Sequence, residues 1–275
     1  MSTIMRFIHT GPLSARRNMA ITVALTELHR AGQIPDTLRF YRCPPSVLVG
    51  RDQRLADAVH VKACLRQHIE ITRRATGGGA VYMDHDTLAW EVIAERDRFG
   101  ERLGDIGERI SSGIAAGLSR FGLPARVRPP NEVAVDGRRI SESNGCVDGP
   151  TALFQGMVRV DVDLAAMAAF LRRSAHHRHG NISACPAPRV TSIAEWLGRK
   201  PSPDELKGCL LAGIAHQWNC SFVRAAPTQL EGVLADRWFD EDRETAVPSD
   251  LQVILATGPA FQQGSAAAAG SPRAP

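Results

Sequence analysis

The 275-residue sequence is short of lysine: among its 33 basic residues only Lys62, Lys200 and Lys207 are lysines, and the rest are arginines. As composition this reflects codon usage, and it leaves arginine, permanently charged and fork-shaped, to serve wherever a cation is required. Aromatic residues make up only 5% of the chain, which disfavours stacking platforms for single-stranded nucleic acid. The net charge of +4 comes without a dense basic run, so nothing points to nucleic acid as a partner. No apolar stretch approaches the roughly 20 residues needed to cross a bilayer, which excludes a membrane-spanning helix. The N-terminus, MSTIMRFIHTGPLSARR, lacks the continuous apolar stretch of a secretory signal. Cys43, Cys64, Cys146, Cys185, Cys209 and Cys220 are scattered without CxxC pairing, a pattern of reduced thiols in a cytoplasmic protein and not of a disulfide framework.

What remains is an ordinary globular composition, 44% hydrophobic and 23% charged. Ser14–Ala31 is expected to be a helix, followed by short strands at Leu38–Tyr41 and Ser46–Val49 and a helical stretch over Arg54–Gln67. Ala80–Met83 and Thr87–Ala94 read as strands. Ile106, Ile110, Ile114, Leu118 and Phe121 recur at helical spacing, and Glu132–Asp136 turns at Asp136-Gly137 into Arg139-Ile140 with a hairpin signature. Residues 153–163 alternate as a strand with one buried face, and Leu164–Leu171 and Asp204–Asn219 read as later helices. Adjacent antiparallel-looking strands among gathered helices give an α+β class in preference to a doubly wound parallel sheet. Residues 1–245 are expected to form one domain, with no separate accessory domain, and 246–275 a largely disordered low-complexity tail.

The most informative stretch is Arg73-Arg74-Ala75-Thr76-Gly77-Gly78-Gly79-Ala80-Val81-Tyr82. Three glycines permit positive φ and close approach of backbone N–H groups to a ligand, and two arginines can grip a carboxylate or phosphate. The run is neither a Walker A loop nor a dinucleotide fingerprint, and taken alone a triple-glycine turn can equally be structural. Asn131 and Glu132 offer oxygen ligands for Mg²⁺, or simply start a solvated strand. His176-His177-Arg178-His179 has no complementary cluster and reads as a solvated loop.

The run RRATGGGAVYMD resembles the RRxSGGGAVFHD signature of the lipoate-protein ligase A family, relatives of biotin-protein ligases and octanoyltransferases. Ser46–Arg51, Asn131–Val135, Gly137-Arg138-Arg139-Ile140-Ser141 (in place of GxKISG) and Val190–Ile193 fall in the family's order. The resemblance implies a biotin/lipoyl ligase catalytic-domain type of fold, a mixed and largely antiparallel sheet flanked by helices, and attachment of lipoate or octanoate to a lysine of a small acyl-carrier (lipoyl-domain) protein, often through an acyl-adenylate made from ATP with Mg²⁺. It further implies that Arg73, Arg74, Thr76, Gly77, Gly78, Gly79, Ala80, Tyr82, Ser141, Gln155 and Gly156 bind substrate, with Asn131 and Glu132 at the metal. An accessory subunit is a further possible partner.

The chain departs from the pattern at telling places. Arg139 replaces the family lysine, and Arg138 beside it should face the opposite side of a strand. Met83 replaces the signature's histidine, Phe154-Gln155-Gly156 stands for HHG, and Glu142 stands where glycine is usual. Cys146 lies in a region where octanoyltransferases of the superfamily carry the acyl group as a thioester, and a thiolate is a competent acyl nucleophile if a cation lowers its pKa. Three readings follow: an ATP-dependent ligase with Arg139 as its electrostatic group, an ATP-independent transferase using Cys146, or a non-catalytic acyl-binding relative. The other cysteines read as core fillers.

Overall fold

The computed structural model describes residues 3–129, 131–172 and 190–245. The histidine-rich segment and the C-terminal tail lie outside the described residues.

The first strand, β1 (Thr3–Pro12), shows no alternation because Met5 to Ile8 are buried on both faces. It feeds α1 (Ala15–Arg30), which starts where the Ser14 hydroxyl accepts the Arg17 N–H at 3.1 Å. Strands β2 (Thr37–Arg42) and β3 (Ser46–Val49) follow at their expected places. The helix expected over 54–67 is divided into α2 (Leu55–Ala58) and α3 (Val61–Arg66). Between them Val59 is extended and bridges Leu171, and the His60 N–H donates to the Phe170 carbonyl at 2.8 Å. A long-range backbone contact overrides helical periodicity there.

Strands β4 (Glu70–Arg73), β5 (Val81–Met83) and β6 (Thr87–Glu95) precede α4 (Leu103–Ser119). Next comes a meander: β7 (Ala125–Arg128), β8 (Glu132–Val135), β9 (Arg138–Asp148) and β10 (Thr151–Arg159). The β8–β9 turn falls on Asp136-Gly137, both at positive φ (49° and 71°) as a two-residue hairpin requires. Helices α5 (Leu164–Phe170), α6 (Ile193–Leu197) and α7 (Pro203–Trp218), strand β11 (Cys220–Arg224) and α8 (Gln229–Thr245) complete the described chain.

The strands form two sheets. The larger has the order β11-β1-β2-β6-β10-β9-β8-β7, with β1 parallel to β2 and β11 and antiparallel pairing elsewhere. This is the expected mixed, largely antiparallel α+β arrangement. One face buries Trp90, Phe154 and Val158 against Ile106, Ile110, Ile114 and Leu118 of α4 and Leu206, Leu210 and Ile214 of α7. Each such side chain taken out of water contributes about 1.5–3 kcal/mol. The opposite face carries α1 and the small sheet β4-β3-β5, joined through Met19, Tyr41, Leu48, Met83 and Met157. The glycine loop after β4 is therefore held over β9 and β10. No helix among the described residues is long and apolar enough to cross a membrane.

Candidate functional site

The glycine loop is shaped by its two arginines. Arg74 is buried and donates to the carbonyls of Leu48 (2.9 Å), Gly77 (2.8 Å) and Gly79 (2.9 Å). Arg73 donates from Nη1 to the carbonyls of Gly50 (2.8 Å), Arg51 (3.0 Å) and Gln53 (2.8 Å). Both guanidinium groups thus gather backbone oxygens and fix the course of the loop. Gly78 takes φ +87°, and a Cβ there would lie 2.2 Å from the Asn144 side chain. A Cβ on Gly50 would lie 2.0 Å from the Gly78 carbonyl oxygen. The loop therefore needs glycine both for its conformation and for its contact with β9.

Beneath the loop a cleft of about 520 Å³ is lined by Gly79 and Ala80 on one side and by Asn131, Glu132, Arg139, Glu142, Ser143 and Asn144 on the other. Leu164, Met167 and Leu171 form an apolar wall, with Gln53 and Arg172 also among the lining. A second, nearly filled pocket of about 20 Å³ shares Glu142 and Asn144 with the cleft and continues among Tyr41, Leu48, Val81, Met83 and Met157. Arg74, Gln155 and Gly156 also line it.

The cleft floor is an ion network. Arg139 Nη1 lies 2.9 Å from Glu132 Oε1 and 3.0 Å from Glu142 Oε2. Glu142 Oε1 is also paired with Arg159, and Glu132 Oε2 with Arg128. Burial would push the Glu142 carboxyl up, but Arg159 and Arg139 outweigh it and hold it below its ordinary value. The Arg139 backbone is pinned as well: Val190 bridges it, and the Thr191 N–H donates to its carbonyl at 2.9 Å. Arg138 points elsewhere, to Glu195 (2.6 Å) and the Trp196 ring.

Of the residues singled out in the sequence, Gly79, Ala80, Asn131, Glu132 and Arg139 meet in the cleft, and Arg74, Gln155 and Gly156 meet in the pocket behind it. Thr76 donates to Gln155 Oε1 at 3.0 Å, tying the loop to β10. Tyr82 stacks on Phe170 with ring centroids 5.5 Å apart, Ser141 is buried, and neither lines the cleft or the pocket. Cys146 sits in strand β9 opposite Leu153, half-buried against the cluster of Ile8, Leu25, Ile93 and Leu153, and is also outside both cavities. Burial pushes its thiol up, Asp148 adds to the rise, and Arg51 opposes it. Sequence reasoning noted Glu142 only as a departure and passed over Asn144, Arg159 and Arg172. Glu142 and Asn144 share one face of the long β9 strand, which forms through pairing with β10 and leaves no signal in the sequence.

A mixed sheet with a smaller sheet and glycine loop folded over one face, with a charged cleft and a smaller recess between them, is an α+β architecture built around a candidate binding site. Residues 14–215 match the lipoyl protein ligase A/B catalytic domain, and the chain belongs to that family. It is 25% identical to Octanoyltransferase LipM of Clostridioides difficile, over 86% of this chain and 95% of that one. It is also 25% identical to Lipoate-protein ligase A subunit 1 of Thermoplasma acidophilum, over 85% and 91% of the two chains. The fold resembles that of a bipartite lipoate protein ligase solved with its E2 lipoyl domain from Thermoplasma acidophilum. That match has a TM-score of 0.78 and 23% identity, and it covers 90% of this chain and 97% of the other.

Proposed function

We propose that this protein holds a medium-chain acyl group, octanoyl or lipoyl, between its glycine loop and β9 and passes it to a lysine of a small lipoyl-domain carrier protein. The observation that carries the reading is that two hollows, one beneath the glycine loop and one behind it, share Glu142 and Asn144 in their linings. The cleft, about 520 Å³, offers the room and the charged groups for a reacting acyl carbonyl, and the recess behind Glu142 and Asn144 has an apolar wall of Leu48, Val81, Met83 and Met157. The recess is walled by Met83 and Met157, flexible side chains that can repack around an entering chain. The names of the relatives agree with this chemistry: one is an octanoyltransferase, the other a lipoate-protein ligase subunit. The likeness to a bipartite ligase also supports an accessory subunit as a partner.

The arrangement favours transfer of an acyl group already activated as a thioester. The carrier's neutral lysine amine attacks the acyl carbonyl, the C–N bond forms, the C–S bond breaks, and the thiolate leaves with the proton the amine sheds. Arg139 and the loop backbone around Gly79 and Ala80 are the groups placed to stabilise charge developing on the acyl oxygen. Cys146 takes no part in this route, because it lies outside the cleft with its thiol held protonated by burial. A third hollow shares Ala168 and Arg172 with the cleft and is lined by Lys62 and Arg66, a cationic approach for an acidic carrier surface.

The other route, activation of a free acid with ATP and Mg²⁺, draws less support. Mg²⁺ needs uncommitted hard oxygens. Both Glu132 oxygens face guanidinium groups, and Asn131, whose amide nitrogen donates to the Ser143 carbonyl, has only its neutral amide oxygen to offer. Among the described residues no group of three acidic, histidine or cysteine side chains is placed to hold a metal. The residues present do not fit the ion, and no step is drawn through it.

The test is acylation of a lipoyl-domain lysine, followed by mass spectrometry with two donors: an octanoyl thioester without nucleotide, and octanoate with ATP and Mg²⁺. Product from the thioester alone is expected. Product only from octanoate with ATP would establish the ligase route instead, and product from neither would refute acyl transfer.

A further inference from the structure

Glu142 stands at the throat of the site: it is one of two residues shared by the cleft and the recess behind it. The register of β9 on β10 sets Glu142 opposite Met157 and Asn144 opposite Gln155, which puts these four side chains on the site-facing side of the sheet. Its side chain is only 16% exposed and is held from both ends, Oε2 on Arg139 and Oε1 on Arg159. Arg139 is held in turn by Glu132. Arg139 and Arg159 are therefore each already engaged by a carboxylate of the protein itself.

We propose that Glu142 is a resident carboxylate filling the anion position of the acyl site, so that the site selects an uncharged acyl group (thioester, ester or amide) over the free acid. The proposal rests on the reading of the cleft as an acyl site and adds the charge state of the group it accepts. A free carboxylate reaching the throat would meet Glu142 in a water-poor setting, where like charges a few ångströms apart repel strongly. To bind, it would have to displace Glu142 from two guanidinium groups and leave that carboxylate buried without a partner. A thioester or amide carbonyl carries no net charge and meets neither obstacle. Glu142 is thus a specificity-determining residue, held at the throat by its ion pairs with Arg139 and Arg159.

Octanoate and octanamide differ in charge and little in shape, so they are the probes. Their dissociation constants are measured by ligand-observed NMR or calorimetry near neutral pH, with the wild-type chain and with Glu142→Gln. The wild-type chain is expected to bind octanamide at least tenfold more tightly than octanoate. In Glu142→Gln, octanoate should gain tenfold or more while octanamide changes little. Equal or tighter binding of octanoate by the wild-type chain overturns the proposal, as does an unchanged ratio in Glu142→Gln. If Glu142→Gln fails to fold, the wild-type ratio still decides, with Glu142→Asp as the variant expected to keep the preference. Binding of neither probe to any of these proteins would remove the acyl reading and the proposal with it. Tight octanoate binding by the wild-type chain would leave the acyl reading intact and refute the role of Glu142 alone.

Discussion

Two arginine–glutamate networks lie on the same side of the large sheet, and they are built differently. Under α1, Arg39 and Glu91 are fully buried and every polar end is met. Arg39 donates to Glu91 Oε1 at 2.6 Å, to Asn18 Oδ1 (3.2 Å) and Thr10 (3.3 Å), and to the Asn18 carbonyl (3.0 Å) and Thr22 hydroxyl (3.1 Å). Thr22 donates to Glu91 Oε2 at 2.6 Å, and Gln155 passes the chain of hydrogen bonds on to Thr76 of the glycine loop. On the cleft floor, Arg139 and Glu142 are 25% and 16% exposed. Arg139 Nε and one Arg159 terminal nitrogen have no partner among the described residues. A closed network fixes a scaffold; one that is shared, lines a cavity and leaves donors unmet is a site.

The comparison can be broken most severely in the closed network. Arg39→Met should cost about 3–5 kcal/mol in denaturant unfolding, because it strands a fully buried carboxylate at Glu91. Arg139→Met on the floor should do the reverse. Glu132 keeps Arg128 and Glu142 keeps Arg159, so the loss of stability should stay below about 2 kcal/mol. Acyl transfer should nevertheless fall about 100-fold, as expected when an electrostatic group at the reacting centre is removed. A stability loss equal to that of Arg39→Met would make the floor another piece of scaffold.

Acid sharpens the contrast further. The folded-state pKa of Glu142 lies below its ordinary value of 4.5, so its contribution to stability is present above that value and is lost as pH falls through the folded-state value. Glu142→Gln should therefore flatten the stability–pH curve in the range below 4.5, measured by denaturant unfolding across that range. An acid limb as steep as that of the wild-type chain would contradict the ion pairing. The smallest effect is expected at Cys146, which touches neither network: Cys146→Ser should leave transfer within about twofold in the same mass-spectrometric assay. Loss of transfer in that variant would restore a thioester route through the cysteine.

Much of this molecule was legible in its residues. The spacing of Ile106 to Leu118, the Asp136-Gly137 turn and the alternation from Phe154 to Val158 appear as α4, the β8–β9 hairpin and β10. Strand β1 was not legible, since burial on both faces erases its alternation. Nor were β7, β11 and α8, whose burial is set by neighbours distant in the chain. Within the site, the glycine motif, Glu132 and Arg139 could be picked out by type and order. What Arg73 and Arg74 hold could not, because their acceptors are backbone carbonyls that leave no mark in a sequence. Ser143-Asn144-Gly145-Cys146 is too small and polar to signal a strand, yet pairing with β10 makes it one and carries Glu142 and Asn144 into the cleft.

The central claim is that the site moves an uncharged, pre-activated acyl group onto a carrier lysine. Its most direct test places the wild-type chain, a lipoyl domain and an octanoyl thioester together without nucleotide or metal and follows the carrier's mass with time. Appearance of the octanoylated carrier at a rate that rises with enzyme concentration is the predicted result. An unmodified carrier that becomes octanoylated only when octanoate, ATP and Mg²⁺ are supplied would contradict it.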